Sequence, residues 1–541
     1  MTFKHCLLAC AFAAAPALAL AQPGSGIIDQ NRPDRAPPRA PRTGETVRRP
    51  SGAAQIAAPD AGGAAVALRG VDIQGSSLPH AKLATAMHPF LGRRLDKPTI
   101  QAAADALSAL YGQSKVALYT IQAPQQDLTS GRLRLQVTEG HIAQVAIRGK
   151  VKGRQTALVK AYAVKLTDEQ PLSRPTLERE LSLINDIPGM KTTPQLLQGR
   201  SPGDVVLDLD LAPKRTDFSL GLINSGTPQL GRYQVQADFD VYSILRAGDA
   251  TRFTILVPTD IERFQYYGVT HSQALGDNGL RAQVSVGYLR TQPTGGAVGD
   301  ATIAAFQLSY PLIRSYQENL YLTADVDGID SSNAVLGQVP SSEQTRAARL
   351  AAAWTVQRPT HGWVVSGTGT YGETKLGGST PVGAADDTYD KFNLRLGYDQ
   401  GFGPHWIVRA KAIAQLSSNR LPASELFSLG GDDFGRAFTQ STLLGDEGEA
   451  ASLELAMRPG WAPKPLAGSE LYVFTDAGRI SIAPRFGLPR QHADLGSAGL
   501  GVRAVWKQKT VVGLEGAYAT DAPGPRQNGG WRLGFTFRTV Q

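Results

Sequence analysis

Cysteine is nearly absent. The 541-residue chain has two, Cys6 and Cys10, both within the first ten residues. Beyond them no disulfide framework, zinc–cysteine site or thiol nucleophile can be built, and export through an oxidising compartment carries no risk of mispairing. Charge is sparse too, at 19% Asp, Glu, Lys and Arg, and the excess of +8 is not gathered into a basic run. Nucleic acid is therefore not an expected partner. After the extreme N-terminus there is no stretch of 18 residues without charge or turn residues, which excludes a helical membrane span. The patterns G-x-x-x-x-G-K-S/T, G-x-S-x-G and H-E-x-x-H are missing, and His80, His88, His141, His271, His361, His405 and His492 are scattered without metal-ligand spacing. No catalytic residue, metal or cofactor is expected.

What is present begins with an export signal. Lys4 and His5 precede an apolar, Ala-rich run from Leu7 to Leu20, and Ala19-Leu20-Ala21 has the small-x-small form of a cleavage site. A signal peptide over 1–21 is expected. Residues 22–65 are rich in Pro, Ala, Arg and Gly, and Pro33, Pro37, Pro38 and Pro41 break any long helix. This segment reads as a linker.

Residues 66–140 have the pattern of a small α+β unit. A strand over Val66–Gly75 precedes two helical stretches. In the second, Ile100, Ala103, Leu107, Leu110 and Tyr111 share one face, with Asp96 placed as N-cap and Pro98 in the first turn. Two strands follow, near Ala117–Ala123 and Gly131–Gly140; in the latter Leu133, Leu135 and Val137 alternate with Arg132, Arg134 and Gln136. The same β-α-α-β-β order recurs over 141–213 and ends in a strand where Val205, Leu207, Leu209 and Leu211 oppose Asp208 and Asp210. One module used twice accounts for both stretches.

From 214 to 541 helical periodicity vanishes. Alternating segments of about ten or more residues are separated by turn clusters, the signature of a transmembrane barrel. Leu500, Val502, Ala504 and Trp506 face one way, Gly501, Arg503 and Lys507 the other. Sixteen such segments start near Phe218, Gln234, Thr251, Phe264, Arg281, Ile303, Leu320, Ala347, Trp363, Phe392, Ile407, Ala450, Leu471, Gly496, Val511 and Trp531. An even number closes a barrel, and closure is needed because lipid cannot satisfy open strand edges. On a late segment Phe474, Asp476 and Gly478 project to one side. An ionised Asp476 cannot face lipid, so that side is the lumen. An unusually long loop upstream carries Arg436, whose planar guanidinium offers a fork of donors.

Four local patterns point to one family. Pro124-Gln125-Gln126-Asp127-Leu128, then Gly131-Arg132-Leu133 and Val137-Thr138-Glu139-Gly140-His141-Ile142, is similar to P-x-Q-x-L, G-x-L and V-x-E-G-x-I. Asn185-Asp186-Ile187-Pro188-Gly189 is similar to N-D-x-P-G. Leu429-Gly430-Gly431, Gly435-Arg436-Ala437-Phe438 and Gly445-Asp446-Glu447-Gly448 look like a loop that folds back into a barrel lumen, and Phe474-Thr475-Asp476-Ala477-Gly478 matches F-x-D-x-G. Together they resemble the two-partner secretion transporters, the TpsB group of ShlB/FhaC/HecB-like haemolysin secretion/activation proteins in the BamA outer-membrane superfamily.

That resemblance covers nearly the whole chain after residue 21. It implies two POTRA domains, at 66–140 and 141–213, ahead of a barrel of about sixteen antiparallel strands. It implies that Arg436 and Asp476 pair inside the lumen, with Phe438 anchoring the loop tip and Gly478 leaving room beside the strand. Implied partners are a large β-helical exoprotein of the haemolysin or adhesin kind, outer-membrane lipid and the barrel-assembly machinery. The implied activity is ATP-independent export, with the POTRA domains in the periplasm. A BamA- or TamA-like insertase shares the motifs; it usually has three or more POTRA domains, and two fit here. The loop departs from the family's V-R-G-Y or V-R-G-F: Gly435 precedes the arginine and Ala437 follows it. The residues do not decide whether the POTRA sheet edges are covered or take a client strand by β-augmentation. Gly24–Asn31 is a candidate remnant of an N-terminal plug.

Overall fold

The computed structural model describes residues 55–56, 66–149, 155–294, 298–332, 342–374, 383–523 and 530–540. The expected signal segment, most of the linker and the candidate plug remnant lie outside these described residues.

The first unit has strand Gly70–Gln74, helices His80–Met87 and Lys97–Gln113, and strands Tyr119–Ala123 and Arg132–Glu139. Asp96 accepts the Thr99 N–H at 3.0 Å, so the expected cap starts the long helix. The stripe Ile100, Ala103, Leu107 and Tyr111 is core. Arg132–Glu139 lies between Gly70–Gln74, which is parallel, and Tyr119–Ala123, which is antiparallel; Gln55–Ile56 adds a short parallel strand outside Tyr119–Ala123.

The second unit repeats this order with strand His141–Gly149, helices Gln155–Lys165 and Arg174–Asn185, and strands Met190–Gln198 and Asp204–Pro213. Leu207, Leu209 and Leu211 enter its core as their alternation requires. Asp208, on the opposite face, is buried rather than wet, because Arg148 lies across it with Nε at 2.8 Å from the carboxylate. The two units share a joint at Gly140. Its N–H donates to the Leu118 carbonyl at 2.8 Å and its own carbonyl accepts from Leu172 at 3.0 Å. A Cβ there would stand 3.0 Å from Leu118 Cβ and 3.2 Å from the Gly203 oxygen.

Sixteen antiparallel strands, from Thr216–Ile223 to Trp531–Val540, form a closed barrel in which the last strand pairs with the first. Each sequence-predicted segment falls on one of them, with starts displaced by at most five residues. The period of two sorts side chains between walls. On Glu470–Ile482, Tyr472, Phe474 and Asp476 are buried inside, while Leu471 and Val473 are exposed outside. Five of the six tryptophans, Trp354, Trp363, Trp406, Trp461 and Trp506, belong to strand ends or turns on the rim nearest the α+β units; Trp531 starts the last strand at the other rim. The second unit docks on that nearer rim, against the turns around 243–249, 275–280 and 311–318.

Candidate functional site

Between strands Trp406–Leu416 and Glu447–Met457 the chain runs through thirty residues, 417–446, that fold into the barrel. A hairpin of Phe427–Leu429 and Leu443–Gly445 stiffens this loop. Its apolar side chains Phe427, Leu429, Phe434, Phe438 and Leu443 pack on Ala450, Ile480, Ala493, Leu495 and Ala519 of the wall, so the loop carries its own core into the lumen.

At the tip, Gly435 adopts φ +73°, a left-handed conformation that a side chain would strain. A Cβ there would also meet Leu495 Cδ1 at 2.7 Å. This turn points the Gly435 N–H at Asp476, which accepts it at 2.7 Å and accepts Ser497 Oγ at 2.6 Å. The expected Arg436–Asp476 pairing therefore takes another form. The two groups adjoin, with Nε 3.9 Å from Oδ2, too far for a hydrogen bond. The guanidinium instead donates to Glu515 at 3.1 Å and Glu454 at 3.3 Å, and lies over the Phe474 ring at 4.1 Å. Two carboxylates and a ring face attract it more closely than Asp476, whose Oδ1 is held by the Gly435 N–H and Ser497. Phe438 is buried as an anchor, and its carbonyl and that of Arg436 both accept from Arg532 at 2.8 Å. At Gly478 the loop packs directly on the strand: a Cβ there would stand 2.7 Å from Leu429 Cδ1 and 2.9 Å from Ala450 Cβ.

A second anchor fixes the elbow of the loop. Glu425, fully buried, pairs with Arg349 at 2.8 Å and Lys391 at 2.7 Å, and Arg349 also pairs with Asp327 at 2.8 Å. Glu343 accepts the backbone N–H groups of Ala423 and Ser424 at 2.9 and 3.2 Å. The loop thus joins two walls. Below the tip an ion network continues towards the α+β rim: Arg409 and Arg503 each bridge Glu454 and Glu470, at 2.6 to 3.1 Å.

Sequence reasoning missed Glu425, Glu454, Glu515, Arg349, Lys391, Ser497 and Arg532. The signal for most of them was parity. Each wall residue among them falls on the inward register of its strand, as Glu454 does between Leu453 and Leu455.

The POTRA motif residues divide into braces and a joint. Gln126 bonds both backbone groups of Arg134, at 2.6 and 2.9 Å, and the Pro124 carbonyl at 3.0 Å, mimicking one more strand residue. Leu128 packs on the first core, and Gly131, at φ +76°, turns beside the Ala67 carbonyl. Glu139 accepts Tyr111 Oη at 2.6 Å and both Ser77 donors at 2.8 Å. Burial, and then this carboxylate, push the Tyr111 hydroxyl well above its ordinary pKa.

In Asn185-Asp186-Ile187-Pro188-Gly189 the chain leaves its helix towards the barrel. Asp186 takes both forks of the almost fully buried Arg314, at 2.7 and 2.8 Å. Arg314 Nη1 also donates to the Ser315 carbonyl and to Asn319, both at 2.8 Å. Gly189, at φ +66°, packs where a Cβ would strike the Tyr242 ring at 2.5 Å, and its carbonyl accepts the Lys214 N–H at 2.6 Å. Arg179 reinforces the joint through the Pro311 and Asn278 carbonyls, each at 2.9 Å. Asn185 is the last residue of its helix and Pro188 lies in the turn that follows.

A closed barrel with an inserted, doubly anchored loop and α+β units on one rim defines an outer-membrane β-barrel transporter of the POTRA–barrel type. The chain belongs to the haemolysin secretion/activation protein ShlB/FhaC/HecB family, whose model matches residues 203–504; the ShlB-type POTRA domain matches 66–140. It is 21% identical over 435 residues to the outer membrane transporter CdiB of Dickeya dadantii, covering 76% of each chain. It is 20% identical over 214 residues to the heme/hemopexin transporter protein HuxB of Haemophilus influenzae, covering 38% of this chain and 37% of HuxB. The structure of CdiB from Escherichia coli superposes with a TM-score of 0.69 at 16% identity, over 97% of this chain and 100% of that one, a likeness of fold.

Proposed function

We propose that this chain is the pore of a two-partner secretion pathway. Its two α+β units hang in the periplasm and engage an unfolded exoprotein, of the large β-helical haemolysin or adhesin kind, and the barrel passes it outward in extended form. The observation that carries this reading is the loop 417–446, folded into the lumen and pinned to both walls. A transporter needs a resting closure, and a static scaffold does not. The tip contacts suit a closure that moves, because other charges stand ready for the groups it releases: Glu454 keeps Arg409 and Arg503 when Arg436 leaves. With no phosphate-binding loop and no ATP in the periplasm, the drive is folding of the cargo outside. In this reading the outer wall contacts lipid, and the barrel-assembly machinery inserts it.

The test is secretion of a partner exoprotein by wild type, Arg436→Ala and a deletion of 66–140, each barrel verified in the outer membrane by its heat-modifiable mobility. Cargo should reach the medium with wild type alone. Intact secretion together with falling assembly of other outer-membrane proteins would replace this reading with an insertase.

A further inference from the structure

The barrel closes at a short seam. Only Ser219–Ile223 and Thr536–Val540 pair across it, five residues, against nine between Thr510–Tyr518 and Trp531–Thr539 next door. Beyond Ile223 the Asn224 N–H still donates to the Phe535 carbonyl at 3.3 Å, and there a side chain takes over the ladder. Asn224 Nδ2 donates to the Leu533 carbonyl at 2.8 Å and its Oδ1 accepts the Phe535 N–H at 2.7 Å. An amide side chain carries the same donor and acceptor as a peptide, so it can replace one.

The lumen loop touches both sides of this seam. From the last strand, Arg532 reaches inward to the carbonyls of Arg436 and Phe438, at 2.8 Å each, with Asp432 3.8 Å away. Beside the first strand, the Ser225 carbonyl accepts the Gln440 N–H at 3.1 Å. Arg532 also lies 3.5 Å from the Asn224 carbonyl, so the clamp and the loop meet at one guanidinium.

We infer that Arg532 and Asn224 couple the lumen loop to the barrel seam: the loop tip straps the seam shut, and withdrawing the tip loosens the seam. Arg532 is a positioning residue here. It holds backbone carbonyls of the loop from a strand whose other edge has few partners. If the two events share these bonds, the coupling is reciprocal, so perturbing the seam must loosen the loop. The inference does not depend on which cargo the pore carries.

The test is amide hydrogen exchange on the full chain folded in detergent. Arg532→Ala should raise exchange at least about tenfold in the loop peptide 430–441 and also in 219–223 and 536–540, the loss expected for two hydrogen bonds. Arg532→Lys, which cannot span both carbonyls, should raise both by less. A rise in the loop alone makes Arg532 a loop brace and overturns the coupling. Should Arg532→Ala fail to assemble, Asn224→Ala decides, since it removes the clamp but leaves every loop residue in place. It should raise exchange in 430–441. Oxidising a Leu222→Cys, Phe537→Cys bridge, made at partners in the ladder in a chain without Cys6 and Cys10, should return the loop to its wild-type protection. An unchanged loop in Asn224→Ala, or a loop still loose behind the closed bridge, sinks the inference.

Discussion

Asp186→Asn should weaken the docking of the second α+β unit on the barrel rim without unfolding either. The substitution keeps one acceptor and puts an amide N–H₂ against Arg314, so one charge-assisted bond is lost and a donor faces a donor. Removing one partner of a buried pair costs about 3–5 kcal/mol. Arg314 retains two neutral acceptors, the Ser315 carbonyl and Asn319. That places the loss nearer about 2–3 kcal/mol, a charge-assisted hydrogen bond with part of the desolvation penalty. The docked-to-undocked ratio should fall roughly 30- to 140-fold. Arg179 still holds the turns at Pro311 and Asn278, so the undocked form remains a minority. Hydrogen exchange in the peptides 275–280 and 311–319 reads this opening, and the strands of both units serve as internal controls. The reasoning fails if those turns exchange as in wild type, or if the strands of the second unit exchange faster by the same factor.

Glu425→Gln should loosen the loop elbow, because Arg349 and Lys391 lose their shared buried carboxylate; a rise in single-channel conductance checks it, and an unchanged trace would place the closure elsewhere. Gly478→Val should push the hairpin from the wall at a cost of about 1–3 kcal/mol through contacts with Leu429 and Ala450, visible as faster proteolysis within 427–445. Glu180→Gln should stabilise the second unit at neutral pH. Burial raises the Glu180 pKa above its ordinary value of 4.5, and the nearest cation, Arg179, stands 3.9 Å away. A raised carboxylate means that the native state holds the extra proton, so stability falls as pH rises from 4.5 through the folded pKa. Pulse proteolysis of the whole chain at pH 5 and 7.5 should show that decline in wild type and not in the variant.

The barrel was legible because period two is a local property. Each strand announces its faces within ten residues, and strand starts came within five residues over the whole wall. The α+β units were legible for the same reason, down to the Asp96 cap. What escaped was pairing at a distance. Asp186 stood out within its motif, yet its partner Arg314 lies 128 residues away on a barrel strand, and nothing local joins them. Arg436 and Asp476 were both found and do adjoin, but which carboxylate receives the guanidinium depends on the Gly435 turn. Asp208 illustrates the converse, since its local pattern says wet and a neighbouring arginine makes it dry.

The wall is not of one height. The three barrel strands Thr216–Ile223, Gln234–Tyr242 and Ala250–Pro258 have 8 or 9 residues, while Gly299–Arg314 and Gln491–Trp506 have 16. At the usual tilt, eight residues rise about 20 Å and sixteen about 40 Å. An apolar band of about 25 Å is met by the tall strands and undershot by the short ones, and five of the six tryptophans that would fix a membrane interface sit on the near rim outside that short flank. A bilayer around this barrel is therefore stretched unevenly, normal in thickness on one side and pinched on the other. The pinch falls beside the short seam, where a thin membrane imposes least mismatch on strands that part.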